Sequence, residues 1–84
     1  MTRVLHIEVD DELLLAMNAE PEQFAKDVRL AAAVKWYEMG VLSQEKAARM
    51  AGMSRAEFIF SLSRFRVSPF QESPQEVVKA LEDT

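Results

Sequence analysis

The chain has 84 residues, no cysteine and a formal net charge of −4, enough for one small domain, which buries only about 60–65% of the surface its unfolded form exposes. Without cysteine it has neither a disulfide nor a thiolate metal site for reinforcement. Its apolar content of 49% excludes a disordered chain, and no apolar run approaches the roughly 18–20 residues that span a bilayer. The start of the chain carries no signal-peptide pattern. The expectation is a soluble, cytoplasmic, mainly α protein without cofactor or membrane partner, reinforced by homodimerisation.

Arg3 to Val9 alternates, with Leu5, Ile7 and Val9 on one side and Val4, His6 and Glu8 on the other. That period predicts a half-buried N-terminal β-strand. No second strong strand follows, so the strand is expected to pair with its own copy across a dimer axis. His6 is the only histidine, lacks metal-binding or catalytic neighbours in sequence, and reads as a surface residue. Asp10 and Asp11 cap a short helix, Glu12 to Met17, with acids at its positive end. Capping outweighs cation binding there, since no second acidic cluster stands at a fixing distance. Residues 1–20 thus form a dimerisation arm.

Pro21 restarts the chain at a first helical position, where its missing N–H costs nothing, and opens the longest helix, to Met39. Phe24, Val28, Ala31, Ala32, Trp36 and Met39 form one apolar stripe, and Leu30, Ala33, Val34 and Tyr37 a neighbouring one. So wide a face predicts burial on two sides, one against the helices that follow and one against another subunit. Trp36 and Tyr37 at helical spacing read as core rather than as a ligand cage. Gly40 ends the helix as a left-handed cap, followed by apolar Val41.

Residues 43–66 organise the rest. Ser43 caps a helix over Gln44 to Ala51, whose inner face is Ala47, Ala48 and Ala51, small enough for two short helices to cross closely. Gly52 provides the turn. Ser54-Arg55-Ala56-Glu57 is a capping box that opens a helix from Arg55 to Phe65. Helix, glycine turn, helix is the grammar of a helix-turn-helix, and residues 21–66 are read as that domain. In its second helix Phe58, Leu62 and Phe65 are expected inside, with Ala56, Glu57, Phe60, Ser63 and Arg64 outside.

Charge supports this placement. Residues 1–27 carry a net −5 and residues 67–84 a net −3, whereas residues 43–66 carry a net +3. The basic block coincides with the proposed motif, the footprint expected of a nucleic-acid face. Lys46, Arg49, Ser54, Arg55 and Arg64 are the candidate DNA-binding residues. Base reading looks thin, because bidentate guanine contacts need arginine and only Arg55 and Arg64 qualify. Phe60 has two readings, contact with a thymine methyl or packing against a partner or later segment, and packing is favoured.

Val67-Ser68-Pro69-Phe70 is extended, since proline restricts the residue before it. Ser73-Pro74-Gln75-Glu76 starts a last helix whose apolar face is Val77, Val78 and Leu81. It is too short to stand alone. Residues 67–84 are therefore read as a partner-binding tail, with Phe60, Phe70, Val77, Val78 and Leu81 as the contacts.

The run Val28 to Glu38, then Gly40-Val41-Leu42-Ser43, Lys46-Ala47-Ala48, Ala51-Gly52-Met53-Ser54-Arg55, Glu57-Phe58 and Val67-Ser68-Pro69-Phe70, resembles a small prokaryotic family of the uncharacterised (UPF) kind. Its members are often encoded beside PIN-domain nucleases. The resemblance covers about three-quarters of the chain. It implies a type II antitoxin in a toxin–antitoxin system: a homodimeric DNA-binding transcription regulator that holds operator DNA and sequesters a PIN-domain toxin with its C-terminal part. The alternative is a dimeric protein-interaction module whose helix-turn-helix fold does not bind DNA, which the net acidity and Phe60 favour. An enzyme is not expected, since one histidine, no cysteine and no glycine-rich phosphate loop leave little from which to build a site.

Overall fold

A computed structural model describes residues 1–70 of the chain. Among these residues four α-helices follow one another: α1 (Asp11–Ala16), α2 (Pro21–Glu38), α3 (Gln44–Ala51) and α4 (Arg55–Leu62). A 3-10 turn over Ser63–Phe65 extends α4.

The N-terminal β-strand is not there. No strand of any kind occurs among the described residues, and residues 1–9 run without regular structure, with Val4, Leu5 and Ile7 largely exposed. The physical reason lies in the rest of the chain. Every other apolar run in residues 11–62 is taken up by a helix, so residues 1–9 meet no second strand, and an unpaired strand leaves its N–H and C=O groups to water. The described residues are helical without the expected strand.

Local chemistry sets the helix ends. The Asp10 carboxylate accepts from the backbone N–H of Glu12 and caps α1. Pro21 opens α2, and Ser43 caps α3 by accepting from the N–H of Lys46 at 3.2 Å. At the other ends, α1, α2, α3 and the 3-10 turn all close in the same way. A left-handed residue (Asn18, Gly40, Gly52 or Arg66) donates its N–H to the carbonyl three residues back, and the next residue donates to the carbonyl five back. This pair of bonds satisfies carbonyls that the helix leaves orphaned.

α3 packs against both α2 and α4. The core lies between these three helices, built from Leu30, Ala33, Val34 and Tyr37 of α2, Ala47 and Ala48 of α3, and Phe58 and Leu62 of α4. Alanines let α3 sit close to both neighbours. The Tyr37 and Phe58 rings meet edge to face, 5.8 Å between centroids, a favoured aromatic geometry. Val67 is also buried here, returned to the core by the left-handed turn at Arg66.

Two helical faces differ from expectation. Of the outer α2 stripe, Ala31, Trp36 and Met39 are exposed, and Phe24, Val28 and Ala32 are half-buried. In α4, Ala56 is buried rather than outward, and Phe65 is exposed rather than inward. The helix gives way to a 3-10 turn at Ser63, so the seven-residue step from Phe58 no longer returns to the core face.

Candidate nucleic-acid interface

α3 and α4 are joined by three residues, Gly52, Met53 and Ser54. Gly52 has φ +72°, a conformation that side chains resist, which is why glycine suits this turn. At the start of α4 both halves of the capping box form. The Ser54 hydroxyl accepts from the Glu57 N–H at 3.1 Å, and the Glu57 carboxylate accepts from the Ser54 N–H at 3.1 Å. The Ser54 backbone bond, then its hydroxyl, hold the Glu57 carboxyl below the usual carboxylate range.

A second contact braces the turn. Arg29 of α2 donates from Nε to the Met50 carbonyl at 2.8 Å, in the last turn of α3. A cation at a helix C-terminus also meets the negative end of the helix dipole. Sequence reasoning did not single out Arg29, because the 21 residues to Met50 carry no periodic signal.

Behind the turn lies a buried polar cluster, also unexpected. Gln44, the first residue of α3, is fully buried. Its Nε2 donates to the Pro69 carbonyl at 3.2 Å and to the Tyr37 hydroxyl at 3.3 Å. The Tyr37 hydroxyl itself donates to Pro69 O at 2.9 Å. On the other side of the amide, Gln44 Oε1 accepts from Arg55 NH2 at 3.1 Å. One side chain thus joins α2, α3, α4 and the segment after Arg66. A glutamine at a first helical position gives no sign of burial, since such positions are usually solvated.

The candidate DNA-binding residues separate into two groups. Lys46, Arg49, Ser54 and Arg64 are exposed, and Lys46 and Arg49 lie three residues apart on one side of α3. Arg55 is half-buried and tied to Gln44. Along the open side of α4 and its extension stand Glu57, Phe60 and Arg64, Phe60 being 72% exposed. Phe60 therefore does not pack into this domain. Phe70, the other described partner-binding candidate, is exposed, whereas Val77, Val78 and Leu81 lie outside the described residues. Among the described residues no group of three or more His, Asp or Glu side chains is placed to hold a metal ion. No helix among them is long and apolar enough to cross a membrane.

These features define a small helical domain in which two capped helices, joined by a glycine turn, carry exposed cationic side chains. The chain belongs to the family described as "Uncharacterised protein family (UPF0175)", whose family model matches residues 1–84. It is 38% identical over 56 residues to a UPF0175 protein of the archaeon Aeropyrum pernix, an overlap that spans 67% of this chain and 71% of the relative. No solved structure gives a significant match.

Proposed function

We propose that the protein is a DNA-binding antitoxin: a homodimeric transcription regulator whose α3–turn–α4 unit is a helix-turn-helix that engages double-stranded operator DNA, and whose C-terminal part sequesters a PIN-domain nuclease. The observation that carries the DNA reading is the exposed cationic surface of the α3–turn–α4 unit. Lys46 and Arg49 are exposed on α3 and Arg64 is exposed just past the C-terminal end of α4, all within the most basic stretch of an otherwise acidic chain, and α4 opens on a capped N-terminus. Cations and helix N-termini are the groups that hold phosphates and position a reading helix. The toxin and the role of the tail rest on the family resemblance.

A second reading has its own support. Phe60 is the bulkiest exposed group on α4, and Arg55 spends a donor on Gln44. Both favour a module that binds protein through this face and leaves DNA alone. Fluorescence anisotropy with the duplex upstream of its own reading frame separates the two. The antitoxin reading expects binding that Lys46→Ala with Arg49→Ala abolishes and Phe60→Ala leaves largely intact. Absence of binding at low salt, with nuclease capture lost in Phe60→Ala, supports the protein-interaction module instead.

A further inference from the structure

Of the eight residues of α4, only Glu57 and Phe60 are exposed; the rest are buried or half-buried. Three residues apart, the two stand on one side of the helix, so whatever lies against α4 meets these side chains first. Neither suits a phosphate: a carboxylate repels it, and a phenyl ring offers it no donor. The side chains that do suit one, Lys46, Arg49 and Arg64, lie on α3 and past the end of α4, in a stretch that carries a net +3. This basic surround complements the DNA backbone and leaves the acid and the ring for the floor of a groove.

We propose that Glu57 and Phe60 are the base-reading pair of α4, Glu57 taking a cytosine and Phe60 the methyl group of a thymine at the adjoining base pair in the major groove, an assignment that rests on the DNA-binding reading above. An ionised carboxylate only accepts, and in the major groove only cytosine N4 and adenine N6 donate. Adenine sets its N7 acceptor beside the N6 group, where it repels a carboxylate, so cytosine is the better match. Glu57 is fixed for this role. Its Oε1 accepts from the Ser54 N–H at 3.1 Å, which helps to keep the carboxyl ionised. A carboxylate has about four lone-pair sites, so further donors can still bind. The Phe60 ring is apolar and 72% exposed, and the thymine methyl is the apolar group that a major-groove edge displays. Three residues advance about 4.5 Å along the helix and one base about 3.4 Å along the duplex, which matches the pair to neighbouring base pairs.

Selection from a pool of duplexes with a randomised centre, followed by fluorescence anisotropy on the enriched duplex, tests the pair in the full chain. The parent should enrich a cytosine beside a thymine. Replacing that thymine by deoxyuridine, which lacks only the methyl group, should weaken binding about fourfold. Phe60→Ala should bind the two duplexes equally, its phosphate-borne affinity retained. Glu57→Gln keeps the capping box, which glutamine also closes. Its amide, donor and acceptor together, should move the preference from cytosine to adenine. A parent that binds duplex with a steep salt dependence but tolerates deoxyuridine overturns the proposal and leaves the DNA-binding reading standing. So does a Glu57→Gln variant that still selects cytosine. Duplex binding that neither substitution alters overturns it too and gives the face to a protein partner. No binding to any duplex of the pool at low salt removes the pair and the DNA-binding reading together.

Discussion

The Arg29 guanidinium lies over Gly52, near enough that a side-chain carbon added to the glycine would meet it at 3.5–3.8 Å, while Arg29 Nε holds the Met50 carbonyl. One exposed arginine thus ties the long helix to the turn between α3 and α4. Arg29→Met should lower the stability of the domain by about 1 kcal/mol, read as a shift in the urea midpoint without a change in slope. An unchanged midpoint would mark the contact as energetically neutral surface chemistry.

Space is not what restricts position 52, because 3.5 Å is ordinary contact. The φ of +72° is the obstacle. Gly52→Ala should therefore cost about 1–2 kcal/mol, and the loss should be nearly the same in an Arg29→Ala background. A loss that vanishes when Arg29 is truncated would show steric conflict to be the cause.

Arg66 makes the converse case. It adopts φ +56° without being glycine, the conformation that returns Val67 to the core. Arg66→Gly relieves that strain, less the extra freedom glycine gains in the unfolded chain, and should stabilise the domain by about 0.5–1 kcal/mol. Thermal unfolding of the two proteins side by side checks the sign. A lower midpoint for the glycine variant would show that the arginine side chain contributes more than its backbone costs.

Phe58 is fully buried and meets Tyr37 edge to face. Phe58→Ala should cost about 3–5 kcal/mol, a large part of what so small a domain has. Circular dichroism should show helix loss in mild urea, where the parent chain stays folded. Retained helix at the parent's midpoint would mean that the core lies elsewhere.

Glu57 gives stability a pH dependence of known sign. Its bonds from Ser54 keep its carboxyl below the ordinary range in the folded state. The resulting stabilisation is present above the unfolded-state value and disappears as pH falls through the lower, folded value. The stability gap between the parent and Glu57→Gln should therefore narrow on acidification from neutral pH. A gap that stays constant through the carboxylate range would mean that the capping bond contributes no charge-dependent stability.

Features written in neighbouring residues were the legible ones. Ser43, Ser54 with Glu57, Pro21, Gly40 and Gly52 each act within one helical turn, and each stands at the helix end where its chemistry belongs. Leu30, Ala33, Val34 and Tyr37 were readable as one face because helical period alone defines it. Alternation over residues 3–9 predicts a strand that does not form, because it describes two faces and says nothing about whether a partner strand exists. Gln44 stayed hidden since its burial depends on Tyr37, Arg55 and Pro69, which arrive from 7 to 25 residues away. Extending α4 at constant pitch puts Phe65 inside, but the 3-10 turn at Ser63 interrupts that pitch. At the candidate interface, the exposure of Lys46 and Arg49 follows from their place opposite the alanine face of α3. The engagement of Arg55 does not follow from any local pattern.

Under the proposed function, this basic surface grips DNA through phosphates. A dimer presenting Lys46, Arg49 and Arg64 from each chain offers about six phosphate contacts. Each released counterion contributes about −0.9 to the dependence of log K on log salt, so a slope of about −5.4 is expected. The decisive measurement is a salt titration of binding to the upstream duplex. A slope of about −5.4 that falls to about −3.6 in Arg49→Ala, which removes one contact per chain, supports DNA binding. Flat or undetectable binding at low salt contradicts it.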